Sequence, residues 1–279
     1  MARSDEVTPE YIERFISRTL IGKAIPFLDT PQTILVRCSP NAPGEVFRHE
    51  SRCYYNPHTD RIPLQRGNYQ FQQVFYGAIP TNSQTVDAQM TALLETTMEH
   101  VKNHKVKRLY VTVSRWKFQR PLKVFILPFS KRSQKANNDF KRIAGGFEEI
   151  LRQNTYGNKL YYNYLKEFLA FMSDIFCKRR NKKMYYKISS AYYNAIMKYA
   201  EFNHIDIDGL IYPSANTKAA GMNIALKKEI IDNRVIYCDM VIMQALQRNP
   251  SNAKYIYYEI VSNGTNVDNS GRFSFDYIA

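Results

Sequence analysis

The 279-residue sequence contains no run of roughly 18 uncharged apolar residues, so no membrane-spanning helix is expected. Its first residues, MARSDEVTPEYIERF, mix both charge signs where a signal peptide needs a basic start and then an apolar stretch, which predicts a soluble, cytoplasmic protein. Cysteine is sparse: Cys38, Cys53, Cys177 and Cys238 show no CxxC spacing, which fits reduced, packed thiols better than a zinc site or a disulfide framework. There is no GxGxxG after a strand, which disfavours a hydride-transferring Rossmann enzyme. His100 and His104 stand four apart, but without HExxH or an assignable third ligand they read as solvated helix residues, and no metal is expected. Ser214 lacks a GxSxG setting, which argues against a serine hydrolase. Repeats and low-complexity segments are absent too.

Positive charge is plentiful. The net charge of +14, with 44% hydrophobic and 23% charged residues, describes an ordinary globular composition with an unusual surplus of lysine and arginine. A positive field concentrates nucleic acid, an acidic protein partner or an anionic dinucleotide alike. Tyrosines interleave with lysines over 159–166 and 182–199 and could stack bases, yet they fall at helical spacing, which favours packing between helices. The expectation is one domain over 1–279, with 139–204 a helical insertion.

Local patterns outline a mixed α/β order. Thr8 followed by Pro9 and Glu10 predicts a helix over 8–20. The run QTILVRC (32–38) reads as a strand that leads into the turn residues Ser39, Pro40 and Asn41, placing Arg37 at a strand end. Val74-Phe75-Tyr76-Gly77-Ala78 reads as a buried strand, and residues 84–101 carry apolar side chains at helical intervals with Glu95 beside the stripe. Strands at 108–114 and 122–128 flank a turn near Gln119–Pro121 and are expected to form a hairpin. Two amphipathic helices follow, around 161–176 and 188–199. Asp208–Tyr212 and Lys254–Val261 are expected strands, 223–228 a turn or strand, and 235–246 an apolar element.

Three polar segments stand on these rigid elements: Arg66-Gly67-Asn68 before the VFYGA strand, Glu95 on its helix, and Tyr212-Pro213-Ser214-Ala215-Asn216 after a strand. Gly67 would permit a sharp turn from which Arg66 presents a planar fork to an anion, and Gly221 similar freedom before Asn223. Singly, each has a plainer role: a solvated arginine, a boundary glutamate, a turn serine. Their order is more telling. Arg37, then RGN with VFYGA, then Glu95 in TALLET, then DGLIYPSANTKAAGMNIAL resembles the RES domain family, which is named for its arginine, glutamate and serine. The similarity covers roughly 32–100 and 205–230. It departs from the family pattern at Cys38, where an aromatic is frequent, and in Gly67, which follows Arg66 instead of preceding it.

The resemblance implies a strongly bent mixed sheet of the ADP-ribosyltransferase type, an α+β fold, and consumption of NAD as a substrate with no resident cofactor. It implies cleavage of the nicotinamide–ribose bond by an NAD hydrolase or phosphorylase, or else transfer of ADP-ribose to a protein, in a toxin that meets an acidic antitoxin or immunity protein. In that picture Glu95 faces the positive charge that develops on the sugar, Arg37 and Arg66 hold phosphate, and Tyr76 stacks on nicotinamide or holds the ribose. Ser214 would bind the nicotinamide amide or a ribose hydroxyl, with Asn68, Tyr212 and Asn223 in the binding set. A basic nucleic-acid-binding protein is the rival from another class.

Overall fold

The computed structural model describes residues 7–20, 26–30, 34–82, 86–102, 108–178, 183–248 and 256–277. Among these the chain is an α+β structure with ten strands in one mixed sheet and seven α-helices. It begins with α1 (Pro9–Leu20), where Thr8 Oγ1 accepts from Tyr11 N at 3.2 Å as the sequence predicts. Strands β1 (Phe27–Asp29), β2 (Ile34–Pro40) and β3 (Val74–Ile79) follow, then α2 (Ala88–Lys102), capped by Asp87 Oδ1, which accepts from Met90 N at 2.7 Å.

The next strands are β4 (Arg108–Phe118) and β5 (Lys123–Ile126), followed by four helices: α3 (Lys131–Ala136), α4 (Asn138–Asn154), α5 (Lys159–Cys177) and α6 (Lys183–Phe202). Then come β6 (Gly209–Pro213), β7 (Met222–Lys227), α7 (Glu229–Asp232), β8 (Ile236–Arg248), β9 (Ile256–Ile260) and β10 (Thr265–Asn266). The sheet order is β1-β5-β6-β7-β3-β2-β4-β8-β10, with β9 also paired to β8.

Only β5 and β6 run parallel; the other pairings are antiparallel. Parallel neighbours need a crossover connection, and α3 to α6 supply it. The alternation of strand side chains shows how both faces are covered. Val124, Ile126, Ile211, Ile224, Leu226, Phe75 and Trp116 point into one core, while Phe125, Leu210, Tyr212, Ala225 and Val74 pack under α6, α5 and α1. The tyrosines of α6 that might have stacked on bases go inward here: Tyr192 and Tyr193 are 1% and 2% exposed.

Two expectations are corrected and one open alternative is decided. The strands β4 and β5 do not form a hairpin: β4 lies between β2 and β8, and β5 between β1 and β6. The connection is diverted because Arg120 Nη1 and Nη2 donate to the buried Asp208 carboxylate at 2.7 and 2.9 Å, which also accepts from Lys123 N at 2.9 Å, while Gln119 N bonds Val235 O. Ser39 and Pro40 continue β2 opposite Thr112 and Val111, so Arg37 is mid-strand. The 223–228 segment, expected as a turn or strand, is strand β7 as far as Lys227, buried between β6 and β3. No helix of the described residues is long and apolar enough to cross a membrane.

Two outcomes follow from this packing. Asp208→Ala removes an acceptor shared by two elements and leaves the Lys123 N–H unpaired, so it should lower unfolding free energy by about 2–4 kcal/mol. Urea denaturation at unchanged slope is the readout. All four cysteines are buried, and burial pushes the thiols of Cys53 and Cys177 up to about 11, that of Cys38 up to about 12, and that of Cys238 higher still. The native protein should therefore resist alkylation by iodoacetamide near pH 8, where too little thiolate exists to react, and label fully in denaturant.

Candidate functional site

β2 and β3 share a single bridge in the described ladder, Val36 opposite Ala78, whereas β3 pairs with β7 along its whole length. A cavity of about 300 Å³ opens beside this junction, a size at the lower end of small-molecule sites. Its wall takes Arg37 to Pro40 from β2, Tyr76 and Gly77 from β3, and Ala92, Glu95 and Thr96 from α2. Gln65, Arg66, Tyr186, Tyr212, Asn216 and Asn223 complete it.

Among the described residues Glu95 is the one carboxylate on this wall, and it accepts four hydrogen bonds. Its Oε1 accepts from Ser214 Oγ at 2.6 Å, Asn223 Nδ2 at 3.0 Å and Asn216 N at 3.3 Å; its Oε2 accepts from Asn216 Nδ2 at 2.8 Å. Oε1 is thus saturated, and Oε2 keeps acceptor capacity. Ser214 is fully buried and its hydroxyl is spent on Glu95 and on the turn, where Thr217 N donates to it at 3.3 Å. It positions the carboxylate and does not reach the cavity, unlike the direct ligand role expected from the resemblance. Asn223 lines the cavity as expected, but its amide also serves Glu95.

The RGN turn works as a staple. Tyr76 Oη donates to Asn68 Oδ1 at 2.6 Å and accepts from Gly67 N at 2.9 Å, while Asn68 Nδ2 donates to the carbonyls of Pro63 and Tyr69. Asn68 is 1% exposed and is not part of the wall; it fixes Tyr76, which is. Burial holds the Tyr76 and Tyr212 phenols well above their ordinary range, so both are neutral.

Arg66 does not take the plainer role of a solvated arginine. It is 8% exposed, its Nη1 donates to Ile175 O at 3.4 Å and its Nη2 to Lys178 O, and the guanidinium lies 5.4 Å from the Tyr186 ring. It caps the carboxyl end of α5, where a cation is favoured by the helix dipole. Arg37 Nη1 donates to Tyr76 O at 2.6 Å, and its guanidinium sits 5.0 Å from the Phe75 ring. Its Nε is buried without a partner among the described residues, and that burial lowers its pKa. Neither arginine pairs with a carboxylate among the described residues. Both are held by main-chain carbonyls beside the cavity.

Sequence reasoning left Asn216, Tyr186 and Gln65 out of the binding set. Asn216 stands within the quoted YPSAN segment and could have been found as a second amide beside Ser214; Tyr186 and Gln65 carry no sequence signal. Gly221 matters for a different reason from the one expected. A Cβ there would run into the Thr91 side chain of α2, so glycine allows the loop to approach the helix that carries Glu95. The His104 residue and the His100 side chain lie outside the described residues.

Gly221→Ala should therefore destabilise the protein by about 1–3 kcal/mol through a forced shift between loop and helix. Gly145→Ala, where an added Cβ meets nothing within 4 Å in α4, should instead be neutral or stabilising by about 0.5–1 kcal/mol. The order of the two melting temperatures relative to the parent checks both. In sequence, no protein-family model matches the chain and a search among curated proteins gives no match, so the likeness to RES domains rests on the residues quoted above.

Proposed function

We propose that the chain is an enzyme that consumes NAD by breaking the bond between nicotinamide and ribose. The observation that carries this reading is the Glu95 carboxylate, fixed by Ser214, Asn216 and Asn223 on the wall of a cavity that also takes Arg37, Arg66, Tyr76 and Tyr212. These residues are scattered from 37 to 223 in the sequence, and they are the same residues that carry the resemblance.

The chemistry fits the arrangement. When the glycosidic C–N bond breaks, nicotinamide departs with the bonding electron pair and positive charge develops on the sugar. A preorganised carboxylate stabilises that charge more in the transition state than in the ground state, because its hydrogen bonds are already made. Oε2, with capacity to spare, would meet the sugar. The positive charge of Arg37 and Arg66 attracts the pyrophosphate, and the rings of Tyr76 and Tyr212 offer flat walls for nicotinamide or ribose. Water as acceptor makes the enzyme a hydrolase, adding its oxygen to the sugar and releasing a proton; phosphate makes it a phosphorylase. Transfer to a protein side chain is the alternative outcome of the same bond cleavage. The positive surface suits an acidic antitoxin or immunity protein.

Purified protein incubated with NAD, with and without phosphate, should release nicotinamide, and Glu95→Gln should slow release by about 100-fold or more. Chromatography of the co-product separates hydrolysis from phosphorolysis. A Glu95→Gln protein as fast as the parent would remove Glu95 from the mechanism, and folded parent protein without nicotinamide release would count against the reading as a whole.

A further inference from the structure

We propose that α3, the first turns of α4 and the loop before β7 form a docking platform for the phosphate backbone of a nucleic acid. Six exposed cations define it: Lys131, Arg132 and Lys135 on α3, Lys141 and Arg142 on α4, and Lys218 on the loop. Asn137 ties the three segments together. Its Oδ1 accepts from Asp139 N at 2.8 Å at the start of α4, and its Nδ2 donates to Ala220 O at 2.7 Å, two residues beyond Lys218.

Five of the six cations are not neutralised from within. The nearby carboxylates are committed elsewhere: Asp139 accepts from Asn82 N and Nδ2 at 2.8 and 2.9 Å, and Asp174 accepts from Ser130 Oγ at 2.5 Å. Arg142 stands 3.8 Å from Asp139, and none of the other five forms a salt bridge among the described residues. Five of the six cations are thus without a carboxylate partner among the described residues.

The absence of apolar surface selects the partner. No large hydrophobic side chain is exposed between residues 131 and 142 among those described. A protein partner would need an apolar centre to its interface, whereas a nucleic-acid backbone is held by charge and polar donors, which Gln134 and Asn138 extend here. The loop bears a second mark. Lys218 and Ala219 hold φ of 56° and 73°, a left-handed conformation that side chains disfavour. It is maintained by Ala219 N donating to Ser214 O at 2.8 Å and Gly221 N to Thr217 Oγ1 at 2.9 Å. The same loop carries Asn216, so the platform borders the cavity.

The test needs no NAD. A fluorescein-labelled DNA duplex of roughly 20 base pairs is titrated with the full chain at several salt concentrations, with polarisation as the readout. The parent should bind, with affinity falling as salt rises. Lys131→Gln/Lys135→Gln/Lys141→Gln should bind about tenfold or more weakly and with a shallower salt slope, and Arg142→Gln/Lys218→Gln should weaken binding as well. Arg14→Gln/Lys159→Gln, which removes two exposed cations elsewhere, should bind as the parent does. No binding at low salt, or platform variants that bind like the parent, would overturn the proposal. Tighter binding of labelled polyglutamate than of the duplex would overturn it in favour of an acidic protein.

Discussion

The carboxylate of Glu95 joins the two halves of the cavity. It belongs to α2, yet among the described residues every hydrogen-bond donor to it comes from the segment Ser214 to Asn223. Four donors at one carboxylate are a substantial local stabilisation, since bonds to a charged acceptor are about twice as strong as neutral ones. The rest of the site is arranged so that these bonds can form. Glycine at 221 lets the loop lie against Thr91, Thr217 closes the loop on itself through Gly221 N, and β7 delivers Asn223 from its position beside β3.

The arginines follow a different logic. In free solution a guanidinium would seek a carboxylate or a phosphate, but Arg37 and Arg66 are pinned by main-chain carbonyls instead. Carbonyl dipoles orient a cation without cancelling its charge. Two fixed positive groups therefore stand beside the cavity with the Glu95 carboxylate on the same wall. The same bonds have structural work: Arg66 secures the end of α5 against the RGN turn, and Arg37 takes up the carbonyl of Tyr76 near the point where β2 and β3 share their bridge.

Much of the fold was legible because the relevant signals are local. Thr8 and Pro9 mark the start of α1, the VFYGA run is β3, and the helical spacing before Glu95 is α2 with a later start, set by the Asp87 cap. The hairpin expected around Gln119–Pro121 failed because its deciding partner, Asp208, lies 88 residues from Arg120, beyond the reach of any local pattern. The site was legible in its membership and less so in its roles. Arg37, Arg66, Tyr76, Glu95, Tyr212 and Asn223 do line one cavity, whereas Ser214 and Asn68 stand behind it and hold others in place. Residue type and order can indicate which groups converge; which of them touches a ligand depends on rotamers and burial that only the packed chain determines.

The parallel pairing of β5 with β6 has a consequence for the order of assembly. Four helices separate the two strands, so their ladder closes a long loop, and closure of this kind comes late relative to local helix formation. The cavity needs β6, the loop after it and Asn223, and it also needs Tyr186 from α6. A ribosome that has not yet released those residues therefore holds a chain with helices but no cavity. The cavity comes into being only once most of the polypeptide has been made.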